Sequence, residues 1–253
     1  ATMPQLRDTP QTIRAESQYP VDTEFTINLS QNGDYVINIL QCRPLQVFQD
    51  QEETKMPEDV DPGSVVFECR HSAMGLSRTA RLDTVVYVDP VKYYRMPYRD
   101  KPRVAEAVSS VNRKMRGKGK TMLLMAPGRI GTSSPELGVP TAFCDISEFS
   151  AICEIANSEA GYNPELSYGS HFFQDLVESK ILYNAIFENE KTLAFHPERL
   201  AECPDAFEAL VEDGAGLEEI VKVYDVSESG LQLCNDLKTE HILCYFHRQK
   251  GPA

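Results

Sequence analysis

The run Thr121-Met-Leu-Leu-Met125, closed by Ala126-Pro127-Gly128, places apolar side chains at consecutive positions. In a strand, consecutive side chains point to opposite faces, so such a run has no side fit for water and belongs at the centre of a sheet covered above and below. The flanking sequence supplies the remaining elements. Val65-Val-Phe-Glu-Cys69, Thr84-Val-Val-Tyr-Val-Asp89, Ala151-Ile-Cys-Glu-Ile155, Ile181 to Phe187, Ile220 to Val226 and Ile242 to Phe246 read as strands. Arg103 to Arg116 carries Val104, Ala107, Val108, Val111 and Met115 at helical spacing, and Ser170 to Ser179 and Pro204 to Glu212 read as further helices, the last ended by Glu212-Asp-Gly-Ala-Gly216. Strands alternating with helices predict an α/β fold, with α+β as the alternative, built on a mixed sheet.

Ahead of this region lies a different pattern. Val21-Asp-Thr-Glu-Phe-Thr-Ile-Asn-Leu29 and Tyr35-Val-Ile-Asn-Ile-Leu-Gln-Cys-Arg-Pro44 are β-rich and flank Asn32-Gly33, a dipeptide suited to the two positive-φ positions of a type I′ turn. A two-residue turn there makes paired residue numbers sum to 65, which sets Glu24 opposite Gln41 and Asp22 opposite Arg43. That polar set is either a wet outer face with a cross-strand ion pair or a binding edge. Residues 46–64, rich in Gln, Glu, Asp and Pro, read as linker. The predicted organisation is a hairpin-bearing unit at 1–48, a linker at 49–64 and an α/β domain at 65–253.

Two further segments stand out. Ala126-Pro-Gly-Arg-Ile-Gly-Thr-Ser-Ser134 follows the apolar strand, and its glycines, hydroxyls and arginine suit either a plain turn or an anion cradle formed by Arg129, Gly131, Thr132 and Ser133. It has neither the Lys-Ser/Thr of a Walker loop nor the glycine spacing of a dinucleotide fingerprint. In Gly169-Ser170-His171-Phe172-Phe173, Ser170 suits an N-cap and His171 the first turn of a helix. The positive end of a helix favours a neutral, nucleophilic imidazole and a phosphate attached to it; the plainer reading is a histidine hydrogen-bonded to the preceding loop.

The hairpin resembles the close of the ATP-grasp nucleotide-binding domain in phosphoenolpyruvate synthase and pyruvate phosphate dikinase, where Asp-Ile-Glu-Phe/Trp is followed by Ile-Leu-Gln-x-Arg-Pro. Here the match is Val21-Asp22-Thr23-Glu24-Phe25 and Ile39-Leu40-Gln41-Cys42-Arg43-Pro44. The resemblance implies Mg²⁺ and ATP as cofactors, Glu24 and Gln41 as metal and nucleotide ligands, and Arg43 as a nucleotide-binding and catalytic residue beside the transferred phosphoryl group. Carboxylate and amide oxygens suit Mg²⁺, and a guanidinium suits phosphate. The two later segments are similar to a pattern near Gly-Pro-Gly-Arg-Trp-Gly-Ser and Gly-Ser/Thr-His-Phe-Phe-Gln-Asn-Leu in a subgroup of PEP/pyruvate-binding-domain proteins. Ala126, Ile130, Ser134 and Asp175 depart from it, and the likeness covers roughly residues 20–187. His171 is a second catalytic candidate on this basis. The glycine-rich phosphate loop and lysine-bearing strand that precede the hairpin in that family are not in this sequence, nor are its swivelling histidine domain and its PEP/pyruvate barrel. The expectation is therefore a C-terminal portion of an ATP-dependent phosphotransferase, inactive by itself, whose partners are an upstream ATP-grasp half of the same chain and a small-molecule phosphoryl acceptor. The alternative is a non-catalytic scaffold, regulatory or small-anion-binding α/β domain attached to such a unit.

Composition narrows the partners. With 25 Lys and Arg against 38 Asp and Glu, the net charge of −13 argues against nucleic acid and anionic membranes, which draw affinity from basic residues. The basic run Arg113 to Lys120 reads as a solvated helix end. Seven cysteines in no metal-binding or CxxC spacing read as free thiols, several of them buried, which points to the cytoplasm.

Overall fold

The computed structural model describes residues 21–30, 32, 34–44, 54–158, 167 and 171–247, with the backbone alone at 21, 22, 42–44, 171, 173, 174 and 177. The chain divides into two compact units, residues 1–50 and 51–253.

The first unit holds an antiparallel hairpin of β1 (Val21–Leu29) and β2 (Tyr35–Pro44). Glu24 pairs with Gln41 and Asp22 with Arg43, as the sequence predicts, but by another route. Beside the connection, the register is not the one that a two-residue Asn32-Gly33 turn sets. Leu29 pairs with Tyr35, and the Ser30 N–H donates to the Asp34 carbonyl at 2.8 Å, so the connection is one residue longer and the pair sum near it is 64. A bulge between Glu24 and Phe25 on β1 leaves Leu40 of β2 as the extra residue and restores 65 at the open end. Side-chain alternation explains the choice. The observed register puts Phe25, Ile27 and Leu29 with Ile39, Ile37 and Tyr35 on one face, and Thr26 with Asn38 on the other. The tight turn would have paired Ile27 with Asn38 and Asn28 with Ile37, mixing the two sets. Segregation of apolar from polar residues outweighs the preference of Asn-Gly for a two-residue turn.

The second unit contains β3 (Val65–Arg70), β4 (Ala73–Met74), β5 (Arg78–Arg81), β6 (Thr84–Val88), α1 (Pro90–Arg95), α2 (Pro102–Met115), β7 (Met122–Pro127), β8 (Ala151–Ile155), α3 (His171–Glu178), β9 (Leu182–Ile186), β10 (Thr192–Phe195), α4 (Phe207–Leu210), β11 (Val221–Asp225), β12 (Leu231–Asp236) and β13 (His241–Phe246). It is mixed α/β with two sheets where the sequence suggested one. A six-stranded sheet, β11-β6-β7-β8-β9-β4, is parallel from β6 to β9 and antiparallel at both edges. A five-stranded sheet, β10-β3-β13-β12-β5, is wholly antiparallel.

Both faces of the parallel strands are buried, each by a different layer. Met122, Leu124 and Ala126 of β7, with Val86, Ile152 and Tyr183 beside them, pack on Val104, Val108 and Val111 of α2 and Leu176 of α3. Leu123 and Met125, with Val85, Cys153 and Leu182, pack on Phe67, Leu231, Leu233, Ile242 and Cys244 of the antiparallel sheet. The order is helices, parallel sheet, antiparallel sheet. Met56 and Val60 pack with Val65, Leu243 and Tyr245, so part of the linker-like segment lies against the antiparallel strands.

The buried polar face of α2 ties down neighbouring loops. Ser110 Oγ donates to the Leu210 carbonyl at 3.0 Å and accepts from the Glu212 N–H at 2.9 Å. Asn112 donates to the Cys144 carbonyl and accepts from the Glu148 N–H. The end of α2 is the solvated terminus expected: Gly117 has φ +72°, and Arg113, Lys114, Arg116 and Lys120 pair with Glu106, Glu212, Glu148 and Asp83. The helix expected over Pro204 to Glu212 is only Phe207–Leu210. It stops at Leu210 because the carbonyl there is taken by Ser110 and Val211 is already extended. Among the described residues Cys69, Cys144, Cys153, Cys203, Cys234 and Cys244 are free, and Cys144 is exposed. Among the described residues no helix is long and apolar enough to cross a membrane.

The pairing at the open end of the hairpin has a direct test. In a Cys42→Ser background, Glu24→Cys with Gln41→Cys should oxidise to a disulfide, since facing Cα atoms lie within bonding reach. Glu24→Cys with Leu40→Cys should not. Free-thiol counting by mass spectrometry separates the two, and equal oxidation of both pairs would contradict the register.

Candidate functional site

The carboxyl ends of parallel strands, where their loops emerge, are the usual place for ligands in an open α/β sheet. Here the loop after β7 and the first turn of α3 meet at that end. Gly128 and Gly138 form an isolated antiparallel bridge, and the Arg129 N–H donates to the Leu137 carbonyl at 2.8 Å, so the chain doubles back into a narrow loop. A side chain at Gly138 would strike the Arg129 backbone at 2.2 Å, which is why two backbone segments pass so closely only with glycine. The Tyr93 hydroxyl reaches the Gly138 and Pro135 carbonyls at 2.6 and 3.0 Å and fixes the far side of the loop.

A carboxylate inside the protein holds the near side. Glu154, the penultimate residue of β8, is fully buried. Its Oε1 accepts from the Ile130 N–H at 2.7 Å and from the Ser167 hydroxyl; its Oε2 accepts from the Ser167 N–H at 2.7 Å and the Tyr183 hydroxyl at 2.7 Å. The Ser167 hydroxyl also lies 2.9 Å from the Ile130 carbonyl. One side chain thus joins the loop after β7, the segment before α3 and β9. Burial raises its pKa above the ordinary carboxylate range, and the hydrogen bonds from Ser167, Tyr183 and Ile130 oppose that rise.

Of the sequence-derived anion residues, Arg129 is half-buried, Thr132 buried and Ser133 exposed. Gly131, at φ +82°, lies where a Cβ would come within 2.4 Å of the Phe172 ring. The loop and the start of α3 are therefore in contact, which places His171 beside the Arg129 to Gly131 segment along the chain; the His171 side chain and the Ser170 cap lie outside what is described. The cradle of backbone amides is not free as expected. The N–H groups of Arg129, Ile130 and Gly131 are directed to Leu137, Glu154 and Thr141, and Ser134 donates to Thr132. Ile130, standing where the resembling pattern has tryptophan, is enclosed in the core.

Sequence reasoning passed over a cation close by. Lys101 is only 6% exposed, its Nζ 4.8 Å from the centre of the Tyr93 ring and 5.2 Å from that of Tyr94. Burial lowers its pKa, and Glu136 of the loop opposes this. The ring faces hold the ammonium against the loop's rear wall. Glu154 had a readable signal, an acid inside Ala-Ile-Cys-Glu-Ile; Lys101, before a proline in a polar stretch, had none.

On the hairpin, Glu24 is exposed and Gln41 half-buried, at facing positions; for Arg43 the backbone register is what is described. Among the described residues no group of three His, Cys, Asp or Glu side chains is arranged to hold a metal ion. No family model, no curated protein and no solved structure matches the chain.

Two outcomes follow from this geometry. Gly131→Ala should cost about 2–4 kcal/mol, from the left-handed backbone and the overlap with Phe172 together. In a Phe172→Ala background only the backbone part, about 1 kcal/mol, should remain. Urea denaturation of the four proteins measures the difference. A carboxyl raised on folding keeps its proton where the unfolded chain has lost it, so Glu154's contribution to stability falls as pH rises from 4.5 through its raised value. Tyr183→Phe removes a donor to the charged form and should cost about 1–2 kcal/mol at pH 8, shrinking toward pH 4, where the carboxyl is protonated. An equal loss at both pH values would show that the tyrosine does not act through the carboxylate.

Proposed function

We propose that the chain contributes the closing hairpin of a phosphoenolpyruvate synthase-like ATP-grasp phosphotransferase, with Glu24 and Gln41 as Mg²⁺-ATP ligands and Arg43 stabilising the transferred phosphoryl group. The observation that carries this reading is the pairing of Glu24 with Gln41 and of Asp22 with Arg43 across a bulged ladder. Without the bulge, Leu40 and Cys42 would take the places of Gln41 and Arg43, and the polar pairs would be lost. Glu24 and Gln41 fit a hard cation: both offer oxygen, they face each other, and neither is enclosed. They supply two ligands, and the bound ion would neutralise phosphate charge. The rest of the coordination shell would come from water and the triphosphate, and the upstream ATP-grasp half supplies the phosphate loop and lysine. The phosphoryl acceptor in this reading is a small molecule.

A second reading concerns the α/β unit, as a scaffold or small-anion-binding module attached to that phosphotransferase. Of these two, the scaffold is favoured by the fully enclosed Glu154 and by loop amides directed inward, which hold the segment around Arg129 in place. His171 divides the readings: a phosphoryl acceptor needs one ring nitrogen open to a cleft, and a scaffold histidine does not.

Calorimetry decides the first reading. The 253 residues alone should bind Mg²⁺-ATP more weakly than micromolar. Joined to an ATP-grasp half that supplies the phosphate loop and lysine strand, they should bind it, with Glu24→Ala and Gln41→Ala each weakening binding about tenfold. Micromolar binding by the chain alone, or indifference of the joined protein to both substitutions, would overturn it.

A further inference from the structure

The strands of the antiparallel sheet end on a cavity of about 560 Å³, bounded by the end of β3, the β12–β13 turn and the segment from Thr54 to Glu58. Its charge is unlike that of the rest of the chain. Lys55, Arg70 and Lys238 all line it, and none of the three has an ion-pair or hydrogen-bond partner for its cationic group among the described residues. Elsewhere in this acidic protein cations find carboxylates readily, as Lys92, Arg113, Lys114, Arg116, Lys120 and Lys222 do. Set against the two lining carboxylates, Glu58 and Asp236, these three cations leave the concavity with a slight positive excess in a chain of net charge −13.

The nearby acids are mostly committed. Asp236 spends both oxygens inside its own turn, accepting from the Lys238 N–H at 3.0 Å and the Thr239 hydroxyl at 2.7 Å. Glu68 lies 2.8 Å from the His241 ring, and Glu240 pairs with His71. Glu58 is the one lining carboxylate with no such partner among the described residues. The Ser77 hydroxyl, 8% exposed at the cavity wall, accepts from the Leu237 N–H at 3.0 Å, which leaves its own hydrogen to donate. Met56, its sulfur 3.4 Å from that of Cys234, adds an apolar wall.

We infer that this cavity binds a small phosphate-bearing molecule. A guanidinium offers a planar fork to phosphoryl oxygens, two ammonium groups supply charge, and a serine hydroxyl a further donor. The volume falls in the range of small-molecule sites and exceeds a bare phosphate, leaving room for an organic portion against Met56. The site shares no residue with the hairpin or with the Arg129 loop, and does not rest on the phosphotransferase reading.

The test is calorimetric titration of the 253-residue chain with inorganic phosphate and pyrophosphate, against sulfate and citrate, at fixed ionic strength. Saturable binding is expected, tightest for pyrophosphate. Arg70→Gln and Lys238→Gln should each weaken it about tenfold, the magnitude of one charge-assisted hydrogen bond. Lys118→Gln, on the exposed basic run, should leave it unchanged. Thermal unfolding confirms that the variants fold; Lys238 sits in an exposed turn, so its substitution reports even if Arg70→Gln destabilises. Absence of saturable phosphate or pyrophosphate binding overturns the inference. So does an equal response to every anion, which would be screening of net charge.

Discussion

A strand with no water-tolerant side needs a layer above and a layer below, and β7 imposes that demand on the whole second unit. Met122, Leu124 and Ala126 call for helices on one face, while Leu123 and Met125 call for cover on the other. Each large side chain taken from water contributes about 1.5–3 kcal/mol, so leaving either face open would forfeit several such terms. The antiparallel sheet meets the second demand. Its strands come from both ends of the unit, β3 and β5 before the parallel strands and β10, β12 and β13 after or beside them. Chain ends that look peripheral in sequence are thereby half of the core.

Burying the parallel strands brings a polar cost at their carboxyl ends, where loops must leave a dry interior. Glu154 meets it by placing two acceptor oxygens among four donors, two backbone and two hydroxyl. An enclosed charge with fewer donors would be strongly destabilising; with four it becomes a joint between three segments. The same arrangement bears on function. It holds Ile130 and Ser167 in place, and so fixes the loop that carries Arg129 relative to the segment leading to α3, without itself being open to a ligand.

Most of the parallel layer was legible in the sequence because its strands are apolar runs and α2 has clean helical spacing. The second sheet was not. β5 is Arg-Thr-Ala-Arg, an edge strand with charged residues, and β12 ends in Asn235 and Asp236, polar residues that are nevertheless buried. Period and propensity say little about such strands; the pairing of β12 with β13, and of β5 with β12, decides them. At the candidate site, the glycine loop and the helix start were each legible as segments, but the inward direction of the loop's amides depends on Glu154 and Thr141, which lie elsewhere in the chain. The hairpin gave the right facing pairs from the wrong turn, because a local turn preference was weighed without the face segregation that overrides it.

The bulge at Leu40 separates the two ends of the hairpin. A strand's face parity is a binary property, and one extra residue inverts it; everything on the loop side keeps one parity and everything on the open side the other. A one-residue change in loop length shifts the pairing it anchors, yet a bulge gained or lost farther along returns the strand to its former phase. Loop length and open-end chemistry are therefore free to drift separately over evolutionary time, with the bulge acting as the phase correction between them.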